Sequence, residues 1–287
     1  MRLALSHGDM YLELDPMAGG CVSALRHRDL DILRPAPCRS GPAFDARDYA
    51  AFPMVPFVGR IHNGVFFIDG QRFELPANLP PEPHAIHGHG WRAPWQIESQ
   101  SESAATLVYR HKADAWPWDY VARQTFDLRE DGLDVTLSLT NASETSMPAG
   151  FGWHPYFWRE DAELMLATTH KWSPDDISGD NRAALITPED DLSPRRRVEA
   201  LNLDTTFSVH PNDIKLFWPT HAVRIKSDSM FGLATVYVPP GEDFFCAEPI
   251  THAPNAINDE RPADMTGFRM LALDETLSGK ISLSVDH

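Results

Sequence analysis

Short stretches of alternating apolar and polar residues, separated by turn residues, constrain the fold of this chain more than any other feature. A strand buried on one face produces this pattern, because successive side chains point to opposite faces. Asp69-Gly70 and Asp131-Gly132 each join two such stretches, and Asp-Gly supplies the positive φ that tight hairpin turns require. The stretches are MYLELD, GVFFIDGQRFEL, TLVYRHK, YVARQTFDLREDGLDVTLSLTN, IKLFW, AVRIKS, LATVYV and KISLSV. The sequence therefore predicts many short strands, including two hairpins.

Helical patterns are missing from the sequence. No long stretch sustains apolar residues at i, i+3, i+4 and i+7, and the 24 prolines fall between the strand-like stretches, so we predict an all-β chain. A length of 287 residues is compatible with one β-sandwich or barrel, and no repeat or low-complexity linker marks a boundary. We expect residues 1–287 to form a single domain, with long loops at residues 36–60 and 170–200.

Charge and cysteine content bear on the partners and the compartment. The chain has 41 Asp and Glu against 25 Lys and Arg, and its formal net charge of -16 repels nucleic acid and anionic lipid surfaces. No apolar window has the length of a membrane span, and the N-terminus does not resemble a signal peptide. Cys21, Cys38 and Cys246 form no disulfide or zinc-knuckle pattern. We expect a cytoplasmic protein that binds a small molecule, has no nucleic-acid or membrane partner, and is a monomer or a homodimer.

The candidate chemical groups are histidine, carboxylate and aromatic residues in the predicted loops. Signatures of serine hydrolases, nucleotide-binding loops and zincins are missing from the sequence. His154 lies in the aromatic stretch FGWHPYFW, where desolvation would lower its pKa; the alternative is a core histidine bonded to backbone groups. Glu248 follows the apolar run FFCA and could act as a base, or pair with a cation. Arg60 could bind sugar hydroxyls through its fixed donors, or form a structural ion pair.

The stretch HAIHGHGWRAPW, residues 84–95, places three histidines within six positions. His87 and His89 alternate as on a strand, as in cupins, and could bind a metal ion together with a carboxylate and a distant histidine. Proton transfer and a plain loop are the other interpretations. The residues of this stretch alone leave the three open.

Six elements of the sequence, in this order, resemble the aldose 1-epimerase family, the galactose mutarotases. They are PFVGRI, the hairpin GVFFIDGQRFEL, HAIHGHGW with a second tryptophan four residues on, GFGWHPYF, LNLDTTFSV and AEPITHAPNAIN. Each element is weakly specific, whereas their order and spacing run through most of the chain. The resemblance implies a large antiparallel β-sandwich with an open cleft that binds a sugar.

The resemblance also implies a role for each matched position. Glu248 is implied to be the general base on the anomeric hydroxyl, and His154 the general acid towards the ring oxygen. His87 and Arg60 are implied to bind and polarise the sugar, and Asp204 to hold its hydroxyl groups. The implied activity is that of an isomerase that interconverts α and β anomers without a metal or other cofactor, and its pH profile is expected to be bell-shaped.

The sequence departs from the better-known members beside the expected sugar. GFGWHPYFW has a His-Pro step and extra aromatic residues, and VGRI has glycine where asparagine is common, so the identity of the sugar stays open. Arg92 and Lys171 are candidates for binding a phosphate or sulfonate at C6. His84 and His89 have no implied role and are expected to be loop residues.

Two other functions stay open. A glycoside hydrolase would use Glu248 and Asp204 as its carboxylate pair, about 5–5.5 Å apart for retention or about 6.5–9.5 Å for inversion of configuration. A sugar-binding module would keep the aromatic cleft without catalysis.

The arginines at 195–197 are most simply a solvated loop surface, with phosphate binding as the alternative.

Overall fold

The fold is that of a computed structural model, which describes residues 2–37, 45–172 and 183–286. Within these ranges the chain forms twenty-four strands, which confirms the all-β prediction. The strands are β1 (Leu3–His7), β2 (Met10–Asp15), β3 (Cys21–His27), β4 (Leu30–Asp31), β5 (Ala51–Met54), β6 (Arg60–Ile61), β7 (Val65–Ile68), β8 (Gln71–Glu74), β9 (Ala85–Ile86), β10 (Gln96–Gln100), β11 (Ala104–His111), β12 (Tyr120–Arg129), β13 (Gly132–Asn141), β14 (Met147–Ala149), β15 (Gly152–Trp158), β16 (Glu163–Trp172), β17 (Ala184–Leu185), β18 (Arg196–Arg197), β19 (Leu203–Phe217), β20 (Ala222–Ser227), β21 (Leu233–Val238), β22 (Phe244–Ile250), β23 (Arg269–Leu271) and β24 (Thr276–Asp286).

Helical structure in the described ranges is limited to single turns. There is one α-helical turn, α1, and no helix in these ranges has the length and hydrophobicity of a membrane span. The turns are α1 (Ala263–Thr266) and the 3-10 helices Ala46–Asp48, His62–Gly64, Gly90–Arg92, Val198–Ala200 and Ala256–Asn258.

Eighteen of the strands pair into one continuous antiparallel sheet. One half runs β1-β2-β3-β5-β15-β22-β21 and the other runs β10-β11-β12-β13-β24-β20. The long strand β19 belongs to both halves, because residues 203–208 pair with β21 and residues 213–217 pair with β20. Strands β1 and β2 pack against β12, and side chains of both halves share one apolar core. This arrangement agrees with the predicted large antiparallel sandwich.

Both predicted hairpins are present, but the predicted turn geometry is correct in only one. Asp69 and Gly70 have positive φ values of 51° and 77° and join β7 to β8. In the second hairpin the turn consists of residues 130–131, and Gly132 begins β13 without a positive φ. Glycine is needed there because a Cβ would lie 1.9 Å from the backbone oxygen of Leu283.

The predicted long loops contain regular structure that the sequence pattern did not indicate. The loop prediction for residues 36–60 was wrong at β5, all of whose residues are buried, so that no alternation is visible in the sequence. Residues 38–44, including Cys38, lie outside the described residues, as do residues 173–182 of the second predicted loop. The described part of that second loop contains β17 and β18.

Strands β5, β15 and β22 lie side by side and carry the candidate site. β15 pairs with β5 on one side and with β22 on the other. An apolar cluster beside the main core packs against this part of the sheet, and its larger members are Phe52, Met54, Trp91, Tyr156, Trp172 and Ile250. These strands therefore present a packed, rigid floor on which polar side chains can be positioned.

Candidate functional site

A cavity of ≈ 300 Å³ opens beside β5, β15 and β22. Its lining includes all five residues for which the family resemblance implied a role, namely Arg60, His87, His154, Asp204 and Glu248. The rest of its wall combines aromatic and aliphatic side chains with further polar ones; the larger apolar members are Phe52, Leu79, Trp91, Tyr156, Tyr237 and Ile250, and the polar ones are Arg47, Glu82, Thr206 and Thr235. Polar groups that converge in a cavity beside aromatic side chains are typical of a small-molecule site.

His154 and Glu248 come together through strand register. Strands β15 and β22 are antiparallel, and Tyr156 faces Cys246 in their register. Two residues along, the same register places His154 opposite Glu248. Residues directly opposite each other share one face of a sheet, and His154 Nε2 lies 3.4 Å from Oε1 of Glu248. Both side chains are buried, with 7% and 3% of their surface exposed.

Burial favours the neutral form of both partners. It lowers the pKa of His154 to about 3 and raises the pKa of Glu248 well above its usual range, where nearby Asp204 adds to the rise and Arg60 opposes it. The rings of Phe52 and Tyr156 pack on His154 with centroids 4.4 and 4.9 Å away, which keeps water from the imidazole. Over a wide pH range the pair therefore shares a single proton.

His87 is held so that one ring nitrogen faces the cavity as a donor. The backbone N–H of Gly59 donates to His87 Nδ1 over 3.2 Å. Burial lowers the pKa of His87 well below its usual range, with the neighbouring His154 and Arg60 adding to the fall. The ring is therefore neutral, and since Nδ1 accepts a hydrogen bond, the proton must be on Nε2.

Arg60 links two carboxylates at the cavity. Its Nη2 donates to Asp204 Oδ2 over 3.3 Å, and its Nε lies 3.8 Å from Oε2 of Glu82. The guanidinium is one-quarter exposed, so donors of this group remain on the cavity side. Arg60 thus forms the ion pair expected of a structural arginine, and it also lies at the cavity, as expected of an arginine that binds a ligand.

His84 and His89 are loop residues, as predicted, but each has a defined partner. The backbone N–H of Asn63 donates to His84 Nδ1 over 3.0 Å. His89 Nε2 lies 2.7 Å from the hydroxyl of Tyr120, and its ring packs against that of His111 with the centroids 4.2 Å apart and the planes tilted by 41°. His89 does not line the cavity. The cupin-like arrangement therefore receives no support, because His87 and His89 do not face one point.

The basic residues considered for an anionic sugar substituent have other contacts. Arg92 contacts the backbone oxygen of Asn78 and the ring of Trp91, and Lys171 lies 2.6 Å from Asp190. Neither lines the cavity. Among the three arginines at 195–197, Arg195 pairs with Glu163 at 3.2 Å and lies over a phenylalanine ring, consistent with a structural surface.

Sequence reasoning missed the groups that hold the histidine segment in place. The Asn78 side-chain amide donates to the backbone oxygens of Ile86 and Gly88 over 2.8 and 2.9 Å and accepts from the N–H of Ile86 over 2.8 Å. Trp91 Nε1 donates to the same two oxygens. His87, between them, has a φ of 56°, which is uncommon for a residue other than glycine. No local pattern could have shown these contacts.

His252 was also missed, although it lies within one of the matched elements. Its Nδ1–H donates to the backbone oxygen of Ala253 over 2.8 Å, and its Nε2 accepts from the N–H of Val58 over 3.1 Å. Val58 precedes Gly59, whose own N–H bonds His87. His252 thereby fixes the segment that orients both His87 and Arg60.

Replacing Asn78 with alanine should impair the site without changing a residue of the cavity wall. The substitution removes the three hydrogen bonds that the Asn78 side chain makes to Ile86 and Gly88, on either side of His87. We expect this loss to lower the free energy of unfolding by about 2 kcal/mol. If the site acts on a sugar, kcat should fall by about tenfold with a smaller change in KM, because the misplaced donor acts mainly in the transition state. Asn212→Ala, which removes a bond to the backbone of Asp228 elsewhere, is the control. Equal losses of kcat in both variants would contradict this role.

Comparison with known proteins defines the class. The fold matches that of a galactose mutarotase-like protein from Clostridium acetobutylicum with a TM-score of 0.88 and 18% identity, over 99% of this chain and 94% of that one. A candidate aldose 1-epimerase of Escherichia coli K12 also has a TM-score of 0.88, with 27% identity over 100% and 99% of the two chains. The chain therefore has the galactose mutarotase-like fold.

The sequence comparisons give the family. The family model of the aldose 1-epimerases matches residues 6–284, and the chain belongs to this family. A relative in E. coli K12, the uncharacterised protein YphB, is 28% identical over 98% of both chains. The resemblance stated from the six sequence elements is thus confirmed.

Proposed function

We propose that this protein is an aldose 1-epimerase that interconverts the α and β anomers of a hexose or hexose derivative. The observation that carries the proposal is the buried contact of 3.4 Å between His154 and Glu248 at an aromatic-walled cavity. Such walls suit the C–H surface of a pyranose, while Arg60 and Asp204 suit its hydroxyl groups. Membership of the aldose 1-epimerase family supports the same reaction.

The reaction needs one base and one acid. The bond between C1 and the ring oxygen O5 breaks as C1 and O1 form a carbonyl, so O1 loses a proton and O5 gains one. Rotation about the C1–C2 bond then exposes the other face of the aldehyde, and closure reverses both transfers. Each well-placed proton-transfer group contributes about 10²- to 10⁴-fold in rate.

The His154–Glu248 pair can supply both groups with a single shared proton. In the free protein, burial favours this proton on Glu248. Transfer to His154 across 3.4 Å produces the carboxylate that accepts the O1 proton and the imidazolium that donates to O5. The charged arrangement is stabilised on the carboxylate side by Arg60, whose charge opposes the rise that burial and Asp204 cause in the pKa of Glu248. The net charge of the pair is the same in both arrangements.

The other three residues are assigned binding roles. The Nε2–H of His87 donates to the ring or anomeric oxygen and stabilises charge that develops there. Arg60 and Asp204, joined at 3.3 Å, present donors and acceptors to vicinal hydroxyl groups. This coupled arrangement predicts that Arg60 and Asp204 influence KM more than kcat.

The pH profile should reflect the two opposite pKa shifts. As the pH falls towards the pKa of His154, about 3, a second proton enters the pair and removes the base. As the pH rises past the raised pKa of Glu248, the shared proton is lost and no acid remains. We therefore expect a bell-shaped profile of kcat/KM with widely separated limbs, measured by anomer exchange after subtraction of the uncatalysed rate. A limb at 6.5, the ordinary pKa of histidine, would contradict the shared-proton pair.

Exchange spectroscopy on anomeric protons tests the function. A panel of neutral aldoses, hexose phosphates and sulfonated hexoses should contain a sugar whose α and β signals exchange faster with the protein. Saturable binding without faster exchange would indicate a binding module. Release of the aryl alcohol from an aryl glycoside would indicate a glycoside hydrolase that uses Glu248 and Asp204.

We propose that residues 1–287 act as one domain and that the protein works in the cytoplasm. Cys21 and Cys246 are free, buried thiols, as expected in a reducing compartment, whereas Cys38 lies outside the described residues. Monomer and homodimer are both compatible with the proposed reaction.

A further inference from the structure

A buried thiol lies beside the proposed acid–base pair and has no part in the proposed reaction. Cys246 precedes Glu248 by two residues on β22, so both side chains lie on one face of the strand. His154, on the neighbouring strand, reaches the same point. The imidazole nitrogen, the carboxylate oxygen and Sγ all lie within 4.8 Å of one another. Three donor atoms of different chemistry thus converge in a space that side chains of β15 and β22 enclose.

The three donors suit a zinc ion. Zinc binds imidazole, carboxylate and thiolate at about 2.0–2.3 Å, so neighbouring donors of a tetrahedral site lie about 3.3–3.6 Å apart. The separation of 3.4 Å between His154 Nε2 and Glu248 Oε1 already fits this geometry. Sγ is at most 4.8 Å from the other donors, so a shift of about 1 Å would bring it to bonding distance.

Charge and access favour the same ion. A carboxylate and a thiolate together neutralise a divalent cation, which removes much of the cost of burying either charge alone. His154 and Glu248 line the cavity, so an ion can enter from that side, and a fourth ligand can come from there as water or a sugar hydroxyl. Calcium and magnesium are disfavoured because they bind oxygen ligands rather than sulfur and nitrogen.

We propose that His154, Cys246 and Glu248 form a zinc-binding site, and that zinc bound there inhibits the protein. Binding displaces the thiol proton and the proton shared by the pair, and releases them to solvent. The lone pairs that would move protons to and from the sugar are then occupied by the metal. The inhibitory part of this inference rests on the proposed epimerase function, whereas the binding part does not.

Zinc titration of the purified full-length protein by calorimetry tests the binding part. The wild type should bind one zinc ion per chain, and Cys246→Ser should weaken binding by at least about tenfold, since it loses the thiolate ligand. Cys21→Ser removes the other described free thiol, which is outside the cluster, and should leave the affinity unchanged. Cobalt(II) in place of zinc should give a thiolate charge-transfer band with the wild type and with Cys21→Ser but not with Cys246→Ser.

Several outcomes would overturn the proposal. One is that a folded Cys246→Ser binds zinc as tightly as the wild type does. Another is that Cys21→Ser abolishes zinc binding. A third is that the wild type gives no cobalt–thiolate band. Cys246→Ala, which adds no polar atom to the buried position, serves if the serine variant does not fold.

Activity measurements separate failure of this inference from failure of the proposed function. Zinc should inhibit anomer exchange by the wild type, a chelator should restore it, and Cys246→Ser should retain its rate at zinc concentrations that inhibit the wild type. If the protein binds zinc but does not accelerate anomer exchange, the proposed function is wrong and the proposed zinc site is supported. Full activity in the presence of saturating bound zinc would overturn the inhibitory role.

Discussion

Replacing Glu248 with glutamine is expected to lower kcat for anomer exchange by about 10²- to 10⁴-fold, because the variant keeps the side-chain volume and loses the base. KM should change little, since the amide can still hydrogen-bond the anomeric hydroxyl. Glu82→Gln is a matched control, because this carboxylate also lines the cavity but lies 3.8 Å from Arg60 at a more exposed position. Equal losses in the two variants would indicate that charge in the cavity, rather than proton transfer by Glu248, determines the rate.

The same variant gives a stability readout that does not depend on activity. Burial raises the pKa of Glu248, so the folded state binds this proton more tightly than the unfolded state does. The stability that the carboxyl group contributes is complete below the unfolded pKa of 4.5 and falls as the pH rises towards the folded value. Glutamine does not ionise, so at neutral pH Glu248→Gln should unfold at the same temperature as the wild type or at a higher one. A lower unfolding temperature only at neutral pH would contradict the raised pKa.

Replacing His154 with asparagine is expected to lower kcat by a similar factor of about 10²–10⁴, because no group remains to protonate the ring oxygen. The pH profile should also change, because no histidine remains to take the proton from Glu248, so the residual rate should rise only as the pH passes the raised pKa of this carboxyl group. His111→Asn is the control for loss of a buried histidine, because His111 bonds a backbone oxygen at 3.2 Å and does not line the cavity. It should reduce stability and leave kcat of the folded protein unchanged.

The two substitutions should be far from additive. If His154 and Glu248 share one proton, either loss disables the pair, and the double variant should be only slightly slower than the slower single variant. Multiplicative effects would indicate two independent groups.

Much of the fold could be predicted because most strands bury a single face. Strand β2 shows the alternation of buried and half-exposed positions that its sequence, MYLELD, predicts. Strands β5 and β15 could not be recognised, because their residues, apart from Trp158 at the end of β15, are buried on both faces and the period-two pattern disappears. The turn at residues 130–131 was placed one residue late because Gly132 is required by contact with the neighbouring strand, which local turn chemistry does not show.

The candidate residues could be named from the sequence, but their arrangement could not. His154 and Glu248 are far apart along the chain, and only the register of β15 and β22 brings them to 3.4 Å. The neutral state and the tautomer of His87 depend on burial and on the N–H of Gly59, neither of which has a sequence signal. Asn78 and His252 act through backbone groups, so their contribution emerges only from the folded chain.

The most direct test of the account is the decay of optical rotation of freshly dissolved α-D-glucose and α-D-galactose with the wild type, Glu248→Gln and His154→Asn at neutral pH. We predict that the wild type accelerates the decay of at least one sugar in proportion to its concentration, and that both variants, folded to the same degree, lose the acceleration. Retention of the wild-type rate by either variant would contradict the shared-proton pair. Absence of acceleration by the wild type, on these sugars and on the phosphorylated and sulfonated hexoses, would contradict the proposed epimerase activity.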